Sequence, residues 1–350
     1  MEIRVYDANL DLCGITENQT SFLWTRRMFE PGEFQIFLPV TRDNIDLIRL
    51  GRVVTYRGAN EAGVIEYIRV TETHVKNEIQ VKGRFLESYM DRRLIRPTRT
   101  YRGTAEVVMR QMLTDAEAIP LVRLGDLNGF TDTIEFQATY KNLLAYETKL
   151  AKAMNYGFRF KPDFTKKTIT FEVFQGVDRT IHQNDRNRVI FSDKYKNIET
   201  AQYTESDQLL KTVGYVGGEG EGSARVYVTV GDTSLTGLER REVFIDARDV
   251  RKEDGVSDAQ YRNLLVERGK EKMLENAEAM FFECSTLATG QFVYMRDYNL
   301  GDLVTVEKSS WGIAKDMRIT ELMEVYEKGK AQVVPTLGDP LPEKVSWEDN

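Results

Sequence analysis

The chain has 350 residues, with 48 basic against 55 acidic side chains, a formal charge of −7, and 41% apolar and 29% charged residues. That composition excludes wholesale disorder, and the acidic balance argues against a general nucleic-acid binder. No apolar run approaches the ~20 residues of a membrane-spanning helix. The start, Met1-Glu2-Ile3-Arg4-Val5, lacks a signal-peptide pattern, and two cysteines, Cys13 and Cys284, fit a reducing compartment and cannot build a disulfide framework.

Residues 1–90 alternate like strands. Pro31-Gly32 suits the central positions of a type II turn, and Phe34, Ile36 and Leu38 then share one face. Asn44 to Leu50 reads as a short helical turn. Val64, Tyr67, Ile68 and Val70 make a less regular strand, Ile79 and Val81 another, and Phe85 to Arg93 one or two helical turns carrying Phe85, Tyr89 and Met90 inward. A helix follows with Thr104 as N-cap and Glu106 near its positive end, burying Ala105, Val108, Met109, Met112 and Leu113. A second helix runs from about Thr139 to Asn155, with Leu143, Leu144, Leu150, Ala151 and Met154 inward and Gly157 as a left-handed cap. Next comes a hairpin, Phe158-Arg159-Phe160, a Pro162-Asp163 turn, then Ile169, Phe171 and Val173. From residue 188 strands return, including Lys211 to Val216 and Arg225 to Val230. One long helix, Ser257 to Glu278, interrupts them, with a stripe of Tyr261, Leu264, Leu265 and Met273. Pro340 to Asn350 reads as a frayed tail.

The residues that usually carry chemistry are sparse. His74 and His182 have no second histidine or cysteine at metal-ligand spacing, and no G-x-S-x-G elbow is present. Gly217-Gly218-Glu219-Gly220-Glu221-Gly222 looks like a phosphate loop, but a strand pattern follows it where a phosphate site needs a helix. It reads as a flexible loop between two strands. No catalytic, cofactor or metal residue is assigned. Paired carboxylates stay open, since 55 acidic residues always offer pairs, and leave as the alternative a carboxylate-based hydrolase of cell-wall or surface glycans. A carbohydrate-binding β protein would need an aromatic platform, and Trp24, Trp311 and Trp347 are widely separated.

The most informative feature is a self-match. Leu50-Gly51-Arg52-Val53-Val54-Thr55 resembles Leu300-Gly301-Asp302-Leu303-Val304-Thr305. The segments Gly63 to Glu72 and Gly312 to Glu321 follow, and Gly51, Thr55, Gly63, Arg69, Thr71 and Glu72 all recur at their counterparts. Gln80-Val81 answers Gln332-Val333. The expected fold class is therefore α+β and β-rich: two related β-barrel or sandwich modules, a small α+β unit between them, and a helical insertion in the second. The expected boundaries are 1–98, 99–180, 181–340 with the insertion at about 255–280, and a flexible tail at 341–350. Three such chains in a ring would present six nearly equivalent positions.

With those residues in hand, the chain resembles the Gp37-like hub family of long-tailed phages and prophages, related in fold to central baseplate-hub proteins of contractile tails. The resemblance rests on Trp24-Thr25-Arg26-Arg27 with Pro31-Gly32-Glu33-Phe34, on Val81 to Leu86 leading to Arg92-Arg93, and on Gly214 to Gly217, Gly220 to Gly222 and Arg225. It continues through Gly237 to Asp249 and the Tyr298-Asn299-Leu300-Gly301-Asp302 turn. It implies a non-enzymatic structural protein, a homotrimeric pseudo-sixfold ring at the tail tip of a virion or phage-tail-like particle, assembled in the host cytoplasm. Implied partners are the tail tube or distal tail protein, the tape-measure protein, and a spike or fibre protein, without cofactor, specific nucleic-acid binding or membrane-spanning segment. A negative lining would repel passing DNA. Related hubs often carry an extra carboxyl-terminal domain for receptor binding or cell-wall cleavage; the sequence ends at Asn350, and the resemblance is not extended to such a role. Arg240 and Glu242, two apart in a strand, would point to one face and pair with neighbours across the ladder or an interface.

Overall fold

A computed structural model describes residues 1–73, 77–138, 140–252, 254–274, 279–287, 291–327 and 329–339. His74, Trp347, Thr139, the end of the long helix and the 341–350 tail lie outside the described residues. The first module holds β1 (Ile3–Tyr6), β2 (Leu12–Thr16), β3 (Ser21–Arg27), β4 (Glu33–Pro39), α1 (Arg42–Leu47), β5 (Val53–Tyr56), β6 (Gly63–Glu72) and β7 (Asn77–Phe85). Its alternating apolar residues form one core, with Phe22, Trp24, Phe34, Ile36, Leu38, Ile79 and Val81 at its centre. A short 3-10 turn, Leu86–Arg92, leads out and buries Met90.

The middle unit holds β8 (Arg99–Thr104), α2 (Ala105–Asp115), β9 (Val122–Leu124), β10 (Thr133–Ala138), α3 (Leu143–Met154), β11 (Gly157–Asp163) and β12 (Thr168–Phe174). The predicted stripe of α2 is buried, as are Leu143, Leu144, Leu150 and Ala151 of α3. The chain then forms β13 (Ile190–Ser192), β14 (Thr200–Ser206), β15 (Val213–Gly217), β16 (Tyr227–Gly231), β17 (Glu242–Asp246), α4 (Asp258–Leu274), β18 (Ala279–Leu287), β19 (Leu303–Lys308), β20 (Ile313–Glu327) and β21 (Lys330–Asp339). β15–β17 form a small separate sheet whose inner face packs on Tyr261, Leu264 and Leu265 of α4.

The two ends of the chain share one hydrogen-bonded path. It runs β14-β18-β21-β20-β3-β4-β7-β6-β5-β1-β2, with β19 also on β20 and β13 on β19. Within it the order β3-β4-β7-β6-β5 repeats as β14-β18-β21-β20-β19, every pairing antiparallel. The match extends to register. Gly51 N–H donates to Ile65 O (2.9 Å) and Ile65 N–H to Arg52 O (2.8 Å); Gly301 donates to Ile319 (2.8 Å) and Ile319 to Asp302 (2.9 Å) in the same way. A register shift follows at Ile65/Tyr67 in β6 and at Ile319/Glu321 in β20. Both Gly51 (φ 80°) and Gly301 (φ 91°) take the left-handed conformation that favours glycine at such a turn. The α+β, β-rich fold with two related modules, an intervening unit and an insertion is therefore present.

The pairing corrects the residue match within that repeat. Gly63 corresponds to Met317 and not Gly312, and Thr71 to Val325 and not Thr320, because Val53↔Val64 answers Leu303↔Arg318. Gln80 likewise corresponds to Val334 and not Gln332. Of the six recurring identities only Gly51 and Thr55, in the segment 50–55 that matches 300–305, keep their counterparts. β19 and the start of β20 extend their ladder out to Lys308↔Ile313 and close at Gly312 (φ 68°), whereas β5 stops at Tyr56. Gly63 serves another purpose: a Cβ there would lie 2.5 Å from the Phe34 ring.

Local punctuation also differs from the sequence reading. Gly32 has no positive φ, so Pro31-Gly32 is not a type II turn; a Cβ there would meet Thr25 O at 2.4 Å and the Phe85 ring at 2.5 Å. Asn142 caps α3 at its start, and Asn155 (φ 59°), not Gly157, is its left-handed cap. Pro162 and Asp163 remain paired in β11 opposite Ile169 and Thr168, and the turn follows them. Thr104 precedes α2, but its side chain makes no capping bond. Glu106 instead accepts from the backbone of Asn128 (2.7 Å), Gly129 (3.0 Å) and Phe130 (3.3 Å), pinning a loop of the middle unit.

Candidate functional site at the module seam

Strand β20 belongs to both modules. Its first part, through Arg318, pairs with β19, and its second part, Glu321–Glu327, pairs with β3, from Glu321↔Arg27 to Glu327↔Ser21. At this seam Arg26 of the Trp24-Thr25-Arg26-Arg27 signature is almost fully buried. Its Nη1 donates to Glu324 Oε1 (2.9 Å) and its Nη2 to Tyr56 Oη (3.0 Å). Its Nε lies 3.0 Å from Glu61 Oε2, and the guanidinium stands 5.1 Å from the Tyr294 ring centre. Burial alone would lower its pKa, but the charges around it outweigh burial and hold Arg26 fully ionised. Tyr56 Oη donates to Glu324 Oε2 (2.6 Å). Arg27, on the opposite face, donates to Glu33 (2.8 Å) and Glu321 (3.3 Å). Trp24 sits below in the first-module core, 4.5 Å from Phe85 and 5.7 Å from Phe34 between ring centres.

Several other signature residues are joints between units, and others brace a single unit. Asp302 is buried and accepts from Val177 N–H (2.9 Å), Asn299 N–H (2.9 Å) and Arg179 Nε (2.7 Å), tying the exit of the middle unit to the second module. Gly176 lies so close to Gly301 that a Cβ would fall 1.8 Å from Gly301 O. Arg84 grips Glu66 with two 2.9 Å bonds and Asp91 with a third at 3.1 Å. Arg93 donates to Glu117 O (3.0 Å) and Ala118 O (3.1 Å). Asp249 accepts from Arg268 (2.7 and 2.9 Å) and Lys141 (2.9 Å), joining the insertion to the middle unit. Burial opposes its ionisation, yet those two cations hold it down at about 2.

The 217–222 glycine stretch is a loop between antiparallel β15 and β16, closed from within. Arg225 donates to Gly217 O (2.9 Å), Gly218 O (2.9 Å) and Asp246 (2.8 Å), while Tyr261 Oη accepts from Glu219 N–H (2.7 Å). Arg240 and Glu242 are not two apart in a strand, because Arg240 ends the 3-10 turn Gly237–Glu239 before β17 begins; they still pair, Arg240 donating to Glu242 (2.7 Å) and to Tyr215 Oη (2.8 Å). This outer face also exposes Tyr227 and Phe244, aromatic residues that an inspection of tryptophans alone misses.

The residues considered for chemistry are dispersed. Cys284 lies in β18, its thiol pushed up to about 12 by burial. Cys13 is exposed on β2, and His182 is 3.3 Å from Asp316. Two buried carboxyls escaped the sequence reading. Glu87 accepts from Phe160 N–H (2.7 Å), and burial pushes its pKa up to about 7. Glu147, on the buried side of α3, has no hydrogen-bond partner among the described residues, and burial raises it well above its ordinary value. A cavity of about 270 Å³ lies where the two modules and the middle unit meet, lined by Arg26, Glu61, Glu87, Arg159, Arg179 and Asp302 together with apolar residues such as Phe85, Phe158 and Phe174. No group of His, Cys, Asp and Glu suited to a metal ion occurs among the described residues.

A family model described as Siphovirus ReqiPepy6 Gp37-like protein matches residues 2–339. No curated protein sequence matches the chain. Among solved structures, a tail protein from Neisseria meningitidis MC58 is similar at TM-score 0.58 and 13% identity, over 96% of both chains. The 43 kDa tail protein of prophage MuSo2 from Shewanella oneidensis is similar at 0.57 and 13%, over 96% of this chain and 98% of that one. Prophage tail protein gp18 from Listeria monocytogenes EGD-e is similar at 0.54 and 14%, over 97% and 94%. At these identities the likeness is one of fold.

Proposed function

We propose, from the premise that the chain belongs to the Siphovirus ReqiPepy6 Gp37-like family, that it is the structural hub of a phage tail or phage-tail-like particle. Three copies form a ring at the tail tip and join the tail tube or distal tail protein to a spike or fibre, with the tape-measure protein inside. The working division is 1–98 and 181–340 as the two ring modules and 99–180 as the unit between them. The observation that carries this reading is the duplicated five-strand path, which lets one chain occupy two equivalent places in a ring. The role is one of shape and contact and uses no catalytic residue. Particle assembly takes place in the host cytoplasm.

Deleting the gene from an inducible prophage and labelling a complementing tagged copy tests the proposal. The expected result is arrested tails without the protein, and label at the distal tail end with it. Normal, infectious tails in the deletion, or label on the capsid, would refute the reading.

A further inference from the structure

The walls of the seam cavity, about 270 Å³ in volume, come from all three units of one chain. Glu61 and Glu87 belong to the first module, Phe158 and Gln175 to the middle unit, and Asn299 and Leu300 to the second module. Its inner end is made of buried side chains: Phe85 and Phe158 are 2% exposed, and Arg26 and Glu87 are 3% exposed. Asn60, Gln175 and Asn299 are exposed at its rim, and their side-chain amides make no hydrogen bond among the described residues. An apolar pocket between units, with a few convergent polar groups, is the usual form of a small-ligand site.

The charges of the lining select the ligand. Four arginines line the cavity, and each is already held by a carboxylate. Arg26 is held by Glu61 (3.0 Å) and Glu324 (2.9 Å), and Arg27 by Glu33 (2.8 Å) and Glu321 (3.3 Å). Arg159 is held by Glu172 (2.7 Å) and Arg179 by Asp302 (2.7 Å). Six carboxylates thus face four guanidiniums, so an entering anion meets no unpaired cation and an excess of negative charge. Glu87 adds a seventh carboxyl group. It accepts from Phe160 N–H through Oε1 (2.7 Å), while its Oε2 has no hydrogen-bond partner among the described residues. A buried acceptor left without a donor is unfavourable until a donor reaches it.

We propose that this cavity binds a primary ammonium on a short aliphatic stem, the ammonium at Glu87, the stem against Phe85, Phe158 and Leu300, and the far end at the rim amides. An ammonium carries three donors, its charge offsets the carboxylate excess, and the faces of the two phenylalanine rings attract a cation. A free alkylamine and the side chain of a lysine share this chemistry. Seated there, either one touches all three units and holds them in one mutual arrangement. No second copy of the chain is needed to build the site.

Calorimetry and ligand-observed NMR on the full chain test the proposal at about pH 8, above the value of about 7 to which burial pushes Glu87. The probes are butylammonium, Nα-acetyl-lysine methylamide, its uncharged counterpart Nα-acetyl-norleucine methylamide, and butyrate. The expected result is saturable binding of a cationic probe, none of the norleucine derivative or butyrate, and a melting temperature that rises with the bound cation. Binding of the lysine derivative alone assigns a protein side chain, binding of butylammonium alone a free amine, and binding of both an ammonium from either source. Glu87→Gln should weaken binding by roughly tenfold or more, the effect of losing a charged acceptor. Gln175→Trp, at the exposed rim, should obstruct entry to a similar degree and leaves Glu87 and its bond to Phe160 in place. Failure of both cations to saturate, equal binding of the norleucine derivative or butyrate, or wild-type affinity in either variant would overturn the proposal.

Discussion

Replacing Arg26 by methionine keeps the unbranched stem of the side chain and removes the guanidinium that Glu61 and Glu324 share. Arg26 and Glu324 are 3% and 7% exposed in their side chains, and Glu61 is 13% exposed, so water reaches the abandoned carboxylates poorly. Breaking a buried ion pair from one side costs about 3–5 kcal/mol. Tyr56 continues to donate to Glu324, which places the expected loss at the lower end, about 3 kcal/mol. Urea unfolding followed through Trp24, buried in the same module, measures it. Replacing all three groups, Arg26→Met with Glu61→Gln and Glu324→Met, should recover much of the stability, since no buried charge is then left alone. A single variant that loses less than about 1 kcal/mol, the level of an exposed ion pair, would refute the view that this cluster fastens the modules. So would a triple variant as unstable as the single one.

Glu87 offers a pH test. Its pKa rises from 4.5 to about 7 on folding, so its contribution is fully present below the unfolded value and is lost as pH climbs through about 7. The integrated effect is about 3 kcal/mol, and Glu87→Gln should flatten the urea midpoint against pH by that amount; an unchanged slope contradicts the assignment. Glu147→Leu removes a buried carboxyl that has no hydrogen-bond partner among the described residues and should stabilise the protein by roughly 1–3 kcal/mol, read as a higher melting temperature. Gly176→Ala forces a Cβ onto Gly301 O; a loss of roughly 1–3 kcal/mol is expected, with faster amide exchange at Val177. Wild-type melting in that variant would show that the two backbones separate freely.

The alternation of Phe34, Ile36 and Leu38 and the stripe of α2 were legible because burial on one face imposes a period on sequence. The duplication was legible at Gly51 and Gly301, where a left-handed turn restricts the residue. Beyond that point the match slid by five residues, because β-branched and threonine-rich strands look alike at any even or odd offset until pairing fixes them. Gly32, Gly63 and Gly157 were misread or unread for a related reason. Each makes room for an aromatic ring, Phe85, Phe34 and Phe174 respectively, and a tight fit against a distant ring leaves no local signature. The seam was the least visible feature. Arg26 meets Glu324 from the other end of the chain, and nothing near either residue announces the other.

A strand that serves two modules has a mechanical consequence. Because β20 continues from its pairing with β19 into its pairing with β3, the modules cannot swing apart on a flexible connector. Tension applied along that strand would load the whole β3 ladder in shear, and the backbone bonds would have to yield together. Within the chain the shared strand is a stiff strut, and compliance is left to the loops on either side of it.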